Sequence, residues 1–186
     1  MQTVDELTPV NLDIIAYAAK RFYGDSCYLH WTAGHYGQVY SDYHISIDYD
    51  GKIYFPFDND NLNLHRSHTY LRNSGAVGIA LLGCWDAEAN NGYDLDMGSE
   101  PITQAQIEAC AAVVAVLCKN APYLKMENVL THEEIATIDG YGPGSGDSET
   151  RWDLWYLPDS AHNYELRPGG QVIRGKAIWY QQQQIG

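Results

Sequence analysis

Apolar residues recur every three or four positions near the start of the chain, between residues 8 and 22. This spacing places them on one face of a helix. Thr8 and Asn11 are both candidates for the N-cap, because their side-chain oxygens can accept hydrogen bonds from the free N–H groups of a first turn. The pattern therefore predicts a first helix over residues 8–22.

A second helical pattern, longer and more apolar, occupies residues 101–120. Ser99 is the predicted N-cap, and Pro101 is tolerated in the first turn because no intrahelical hydrogen bond needs its missing N–H. The apolar stripe that predicts a core-facing helix is Ile107, Ala111, Val114 and Leu117.

Short runs rich in β-formers lie between and after these helices. Residues 27–32 and 76–82 are largely apolar, which is typical of strands buried on both faces of a sheet. Residues 43–54 alternate apolar and polar positions and contain an Asp-Gly turn at 50–51, which predicts a hairpin. Residues 129–130 predict a further short strand.

The C-terminal part of the chain has weaker secondary-structure signals. Residues 138–150 are rich in Gly, Asp and Ser and predict an exposed loop, and a Pro-Gly-Gly turn at 168–170 precedes a pattern over 172–180 that fits a strand or a helix. Helices and strands follow one another with no internal repeat and no long linker. The sequence predicts one α/β domain over residues 1–186, with a central mixed β-sheet flanked by helices.

Composition narrows the range of partners. The formal net charge of -13 argues against a nucleic-acid partner, since phosphate backbones are bound by Lys and Arg. No apolar run reaches the length of a transmembrane helix, which argues against membrane insertion. The 15 Tyr and five Trp include enough amphipathic rings to line a groove for a polar polymer, although most are expected to pack inside the fold.

The cysteines and the N-terminus bear on cellular context. The four cysteines lie at positions 27, 84, 110 and 118, and none has the C-x-x-C spacing of a zinc knuckle or a thioredoxin-type site. The N-terminus lacks the basic and apolar segments of a Sec signal peptide. We expect synthesis in the cytoplasm, with release or injection needed for any action outside. Nothing in the sequence indicates an oligomeric state.

Two of the seven histidines lie at the ends of predicted strands, His30 in the first apolar run and His132 directly after residues 129–130. Strand ends are rigid positions from which side chains can be directed into a cleft. His132 does not begin an H-E-x-x-H zinc helix, because Ala136 occupies the place of the second histidine. Two histidines and one carboxylate would instead supply the three protein ligands of a catalytic zinc.

Several carboxylates near His132 compete for the place of third ligand. Asp153 lies in the Trp-rich segment RWDLW, which is expected to be packed and fixed, whereas Glu133 is poorly placed to reach the same ion as His132. In an extended segment Arg151 and Asp153 project to the same side, which would bring a positive charge beside the metal. The carboxylates that remain as candidates are Glu134, Asp139, Asp147 and Asp153.

Five segments, in order, resemble the zinc-dependent N-acetylmuramoyl-L-alanine amidases, which include phage amidase lysozymes and peptidoglycan recognition proteins. They are LHWTAG, SDYHISIDYDGKIY, SHTYLRNSGAVGIALLG, THEE and RWD. The segments span residues 28–155, the motif-bearing core, and leave residues 156–186 as a C-terminal extension. The resemblance implies an amidase or peptidoglycan-recognition-protein-like fold.

The resemblance also implies a role for individual residues. It implies His30, His132 and Asp153 as ligands of Zn²⁺, and Tyr43 as the tyrosine that faces the attacking water. Arg151 falls where many members have Lys; because Arg is always protonated, oxyanion binding is favoured over proton donation.

Further matches concern the substrate groove. His68 and Asn73 match positions that line it, and Trp31 is a third candidate for substrate binding. Some members have a catalytic Glu where this chain has Ala80, so the chain resembles the branch that uses tyrosine. The stretch before Asp153 is longer than in many relatives, which keeps Asp147 as a rival ligand.

The function implied by the resemblance is zinc-dependent hydrolysis of the amide between N-acetylmuramic acid and L-alanine in bacterial peptidoglycan, as in a bacteriolytic endolysin. Two alternatives remain: a peptidoglycan-binding module without activity, against which Asp153 argues, and an amidase that acts on soluble muropeptides in recycling. Glu133 and Glu134 are expected to begin a helical turn as solvated carboxylates.

Overall fold

The structure is a computed structural model that describes residues 1–56, 61–90, 94–143, 145 and 151–183. None of the helices in these ranges is long and apolar enough to cross a membrane. The α-helices over these ranges are α1 (Leu12–Ala19), α2 (Gln104–Asn120), α3 (His132–Asp139) and α4 (Gly169–Gln183).

Strands alternate with these helices along the chain. Five of them form one sheet in the order β5–β4–β6–β2–β9, in which only β5 runs antiparallel to its neighbour. The predicted α/β fold with a central mixed sheet flanked by helices is confirmed. The strands are β1 (Gln2–Thr3), β2 (Ser26–Trp31), β3 (Gln38–Val39), β4 (Ile45–Ile47), β5 (Ile53–Tyr54), β6 (Ala76–Leu81), β7 (Glu88–Asn90), β8 (Asp94–Asp96), β9 (Val129–Thr131), β10 (Tyr156–Asp159) and β11 (Glu165–Pro168).

The two faces of β2 have different surroundings, because successive side chains of a strand point to opposite sides. Cys27, Leu29 and Trp31 belong to the main hydrophobic core, together with buried residues of α1, α2 and α4. Tyr28 faces the other way and packs with Ile135 of α3. The same alternation puts His30 on the side of Tyr28, so the His30 imidazole lies on the face of the sheet opposite the main core.

Helix α2 begins later than the sequence predicts. Thr103, not Ser99, is the N-cap: its hydroxyl accepts a hydrogen bond from the Gln106 N–H, and the Gln106 side chain accepts one from the Thr103 N–H. Pro101 therefore precedes the helix instead of lying in its first turn. The predicted apolar stripe is buried, which confirms a core helix.

The predicted first helix and the predicted hairpin are both present, and the helix is shorter than the pattern predicts. Asn11, and not Thr8, caps α1 by accepting hydrogen bonds from two backbone N–H groups. The Asp50-Gly51 turn joins β4 and β5 as predicted, and Gly51 has the positive φ of +82° that favours glycine. All four cysteines are free thiols, and Cys118 is the one that is only partly buried.

The C-terminal segment forms a hairpin, β10–β11, followed directly by α4, which packs against α2. The pattern over residues 172–180 is therefore helical, and the predicted turn at 168–170 is the point where the helix begins. Part of the predicted loop over 138–150 is also helical, since α3 continues to Asp139 and ends at Gly140 with φ +85°. Asp147, the rival ligand, lies outside the described residues.

Candidate metal centre

Three side chains from distant parts of the chain converge at the carboxyl end of β2. The Nδ1 atoms of His30 and His132 lie 3.2 Å apart. The Asp153 carboxylate bridges them, with Oδ2 3.2 Å from His30 Nδ1 and Oδ1 3.0 Å from His132 Nδ1. Of the histidine, cysteine and acidic residues that the structure describes, these three form a group able to hold a metal ion.

The donor set fits zinc in type and spacing. Zinc prefers imidazole nitrogen, thiolate and carboxylate oxygen, and tetrahedral ligands about 2.0–2.1 Å from the ion lie about 3.3 Å from one another. The observed separations of 3.0–3.2 Å are close to that value. The three residues that the family resemblance implies as ligands are thus the three that the fold brings together.

The electrostatics keep the donors in the forms that bind a metal. Burial alone opposes ionisation of Asp153, but the two adjacent imidazoles outweigh it and hold the pKa of its carboxyl well below the usual range. Burial lowers the pKa of His30, only partly offset by Asp153. An ionised carboxylate and an unprotonated imidazole are the states in which these groups coordinate cations.

The His30 ring is fixed from behind by a hydroxyl. Its Nε2 lies 3.2 Å from Thr69 Oγ1, which in turn lies 2.9 Å from His68 Nδ1. A ligand histidine that donates its second N–H in this way has its tautomer and orientation set, and Nδ1 stays free for the metal. Gly78 makes room for this arrangement, because a Cβ there would lie 2.6 Å from the His68 ring.

His132 is held by the N-terminus of α3, of which it is the first residue. Thr131 caps the helix, and Glu134 completes a capping box by accepting a hydrogen bond from the Thr131 N–H at 2.8 Å. Arg174 of α4 binds both oxygens of Glu134 at 2.8 Å and donates to the Val129 carbonyl. The position of His132 therefore depends on a contact with the C-terminal helix.

This network corrects one sequence expectation. Glu133 and Glu134 do lie in the first turn of a helix, as predicted, but Glu134 is an ion-paired residue and not a solvated carboxylate. A Cβ at Gly170 would overlap the Glu134 carboxylate, so the start of α4 approaches that side chain closely. Glu133 is half buried and accepts a hydrogen bond from the Thr137 hydroxyl, and its burial raises its pKa.

Asp153 is fixed by packing around the segment that carries it. The Trp152 ring makes an edge-to-face contact with Trp31, with 5.1 Å between ring centroids. Leu154 is fully buried, and the Trp155 carbonyl accepts a hydrogen bond from the Gly169 N–H at 2.9 Å. These contacts anchor the segment between β2 and the start of α4, as expected for a Trp-rich stretch.

The other carboxylates proposed as third ligand lie elsewhere or have other partners. Asp139 forms a two-point ion pair with Arg72, at 2.5 and 2.8 Å. Glu134 is occupied by Arg174. Among the candidates in the described residues, Asp153 alone contacts both histidines.

The centre opens into a cavity of about 250 Å³ that is lined in part by His132 and Asp153. Tyr43 and Arg151, the two predicted catalytic residues, are also on its wall. The Tyr43 ring lies 5.2 Å from the His30 ring between centroids, and burial raises the pKa of its phenol, which keeps the hydroxyl protonated. The Arg151 guanidinium lies over the Tyr141 ring at 4.7 Å. A residue with a protonated hydroxyl and a cationic residue thus both line the space beside the metal site.

The residues predicted to bind substrate have different locations. Trp31 lines the cavity, although only 6% of it is exposed. His68 is also buried, at 7% exposed, and its ring makes an edge-to-face contact with that of His30, with 5.4 Å between centroids. Asn73 uses its side-chain oxygen to accept hydrogen bonds from the N–H groups of His68 and Thr69. It organises the loop that holds Thr69 and does not line the metal-site cavity.

Two residues of this network, Thr69 and Arg174, do not emerge from the sequence. Thr69 follows a predicted site residue, but its hydroxyl has no distinguishing pattern. Arg174 is 40 positions from Glu134, in a stretch whose secondary structure the sequence leaves open. Their roles follow only from the folded contacts.

Comparison with known proteins places this geometry in a family. The family model described as N-acetylmuramoyl-L-alanine amidase matches residues 8–145. The chain belongs to this amidase family, and it is an enzyme that acts on an amide of peptidoglycan. The match ends before Arg151 and Asp153, so the place of these two residues in the centre rests on the structure.

Solved structures give distant similarities. An endolysin amidase named LysCS from Clostridium intestinale URNW is 19% identical, with a TM-score of 0.43 over 62% of this chain and 73% of its own. An endolysin from a Thermus scotoductus bacteriophage is 18% identical, with a TM-score of 0.41 over 60% of this chain and 72% of its own. No curated protein matches the chain. Family membership therefore rests on the sequence match.

Proposed function

We propose that the protein is a zinc-dependent enzyme that hydrolyses the amide between the lactyl group of N-acetylmuramic acid and L-alanine in peptidoglycan. The observation that carries the proposal is the group formed by His30, His132 and Asp153, whose donor atoms converge at separations that suit tetrahedral zinc. The cavity beside it, with Tyr43 and Arg151 on its wall, leaves one side of the centre open to substrate.

The zinc ligands, Tyr43 and Arg151 have separate roles in the proposed reaction. Zinc held by three protein ligands supplies Lewis acidity toward water and toward a carbonyl oxygen. Tyr43 orients the attacking water through its protonated hydroxyl. Arg151 stabilises the negative charge that develops on the scissile carbonyl oxygen. Water adds to the carbonyl carbon, the C–N bond of the tetrahedral species then breaks, and the protons that the water loses pass to the leaving nitrogen, which yields a lactyl carboxylate and the amino group of L-alanine.

The test is release of the stem peptide from purified cell wall, measured together with zinc content. Wild-type protein should bind about one zinc per chain and release peptide with a new N-terminal alanine. His30→Ala and Asp153→Ala should lose both properties while keeping the far-ultraviolet circular dichroism of the fold. Full activity in either variant would contradict the ligand assignment.

A binding module without activity would hold peptidoglycan without releasing peptide, and the complete donor set favours the enzyme. Polymeric wall and soluble muropeptides should be compared as substrates, because faster turnover of the fragments would indicate a recycling enzyme. We propose action on the wall after release or injection from the cell that makes the protein.

A further inference from the structure

A second cavity, of about 660 Å³, lies in the C-terminal segment and shares no lining residue with the cavity of the metal centre. Its walls come from α4, from the turn after β10, from β11 and from one residue of α2. Asp159 on its wall is six residues from Asp153, so their Cα atoms lie no more than about 22 Å apart. A polymeric substrate is long enough to reach both places.

Helix α4 presents an open slot to this cavity. Gln171, Gly175 and Trp179 are spaced four residues apart, which places them in one row along the helix, and all three line the cavity. Trp179 is 54% exposed, although an indole of its size is usually covered. The row therefore offers a flat aromatic face next to a position with no side chain.

Gly175 has no structural explanation among the described residues. A glycine inside a helix destabilises it by about 0.5–1 kcal/mol relative to alanine. Its backbone is helical, and a Cβ added there would meet no atom within 4 Å. Neither backbone conformation nor close packing requires glycine at this position, and its effect is to keep the cavity open beside Trp179.

The polar groups of the wall are paired with one another. Lys176 Nζ lies 2.6 Å from Glu108 Oε1 and 2.7 Å from Ser160 Oγ, and Tyr180 donates to Glu108 Oε2 at 2.9 Å. On the other side, Asp159 has a cationic and an imidazole partner. They are Arg167, at 3.8 Å, and His162, at 2.6 Å.

The ion pairs on the cavity wall favour a neutral ligand over a charged one. Because each carboxylate of the wall already has a cationic partner, a charged ligand would gain little and would have to break an existing pair. A neutral ligand with hydroxyl and amide groups can exchange hydrogen bonds with the same side chains. Its apolar face can lie on the Trp179 ring.

We propose that this cavity is a saccharide-binding site that takes neutral N-acetylated sugar residues of a glycan strand. Its volume lies within the range of about 300–1,000 Å³ typical of small-molecule sites. That the glycan is the strand of the peptidoglycan substrate rests on the proposed function. A second contact with the same polymer would raise the effective affinity of the chain for the wall without a new contact at the metal centre.

The test uses chitotetraose, a linear oligomer of N-acetylglucosamine that contains no lactyl–alanine amide. Its binding to the full chain is measured by isothermal titration calorimetry and by tryptophan fluorescence. Trp179→Ala should weaken binding about tenfold or more, because an aromatic ring that a ligand covers often contributes much of the binding energy. Trp85→Ala is the matched control, since Trp85 is also an exposed tryptophan but stacks on His35 and does not line this cavity.

Gly175→Leu separates loss of binding from loss of folding. Leucine favours helix more than glycine, so the melting temperature should stay the same or rise while the side chain fills the slot and binding is lost. Wild-type protein that does not bind chitotetraose, or binding unchanged in both Trp179→Ala and Gly175→Leu, would overturn the proposal.

The same probe keeps this proposal apart from the proposed catalytic function. Asp153→Ala should bind chitotetraose as wild type does, since Asp153 lies in the other cavity and the probe has no scissile amide. Loss of binding in this variant, with the fold intact, would show that the sugar binds at the metal centre and would contradict a separate site. Binding of chitotetraose by a wild-type protein that has no amidase activity would support the saccharide site and contradict the catalytic proposal.

Discussion

His30 and Asp153 reach the same point by different means. His30 lies on β2, paired with Ala80 of β6 and directly after the residues of β2 that pair with β9, so the ladders of the sheet fix its backbone. Asp153 lies in an irregular segment that is positioned by contacts with Trp31 and with the start of α4. The position of His30 is thus fixed by the sheet, within the residues that the family model matches. The position of Asp153 is fixed by a C-terminal segment beyond residue 145. One of the three ligands therefore depends on packing outside the matched region.

Removal of the ligand from the C-terminal segment is expected to have the largest effect. Asp153→Ala should reduce zinc binding and amidase activity to background, because the two histidines alone cannot complete the three-ligand set of a catalytic zinc. Elemental analysis and release of stem peptide measure the two quantities.

Asp147→Ala is the matched control for this prediction, because Asp147 is the rival carboxylate of the same stretch of sequence. We expect it to keep zinc and activity. The reverse result, with Asp147→Ala inactive and Asp153→Ala active, would make Asp147 the third ligand and contradict the assignment of Asp153.

The second largest effect is expected at Arg151, the other contribution of this segment to the metal-site cavity. Arg151→Ala should lower kcat about 100- to 1,000-fold, the usual loss when one oxyanion donor is removed. Zinc content should stay at the wild-type level, because Arg151 is not a ligand. Arg151→Lys should recover part of kcat, since it restores the charge without the planar fork. A variant with wild-type kcat would exclude Arg151 from the reaction.

The sequence predicts the region set by the sheet better than the region set by packing. The apolar runs that become β2 and β6 are local signals, and His30 at a strand end follows from them together with the family motifs. Differences in this part of the chain include a helix end, at Thr103, where several nearby side chains are able to cap the helix, and the short strands β3, β7 and β8, which the pattern does not predict. Local pattern decides which element forms, and tertiary context decides where it starts.

The supporting contacts were beyond the reach of the sequence. Arg174 reaches Glu134 only after α4 has packed against α2 and β9, and no spacing along the chain indicates that contact. The burial of His68 is a second case: the small residue Gly78 leaves room for its ring against β6, and the motif that contains His68 carries no signal of that contact. Residues that act through another residue leave no pattern of their own.

The contact between α4 and α3 is expected to have the third largest effect. Arg174→Met should weaken zinc affinity by about tenfold or more, within the range for groups that orient metal ligands, because Glu134 would no longer be held against the Thr131 cap that precedes His132. The affinity is measured by competition with a chelator of known zinc affinity.

Arg72→Met is the matched control for Arg174→Met. Arg72 also forms a two-point ion pair with a carboxylate of α3, but its partner, Asp139, lies at the far end of that helix from His132. Exposed pairs of this kind contribute about 0–1 kcal/mol, so zinc affinity should change little. Equal losses in the two variants would mean that α3 responds as a whole and that Arg174 has no specific role in placing His132.

The smallest effect is expected on the side of the centre that the sheet already fixes. Thr69→Val removes the hydroxyl between His30 Nε2 and His68 Nδ1 while keeping the shape of the side chain. Zinc affinity should fall about tenfold, at the low end for such partners, because the strand still holds the backbone of His30. Thr69→Ser should restore the affinity, since it returns the hydroxyl. A loss of zinc affinity in Thr69→Val larger than that in Arg174→Met would contradict this order of effects. It would show that the side-chain hydrogen bond from Thr69, more than the strand, positions His30.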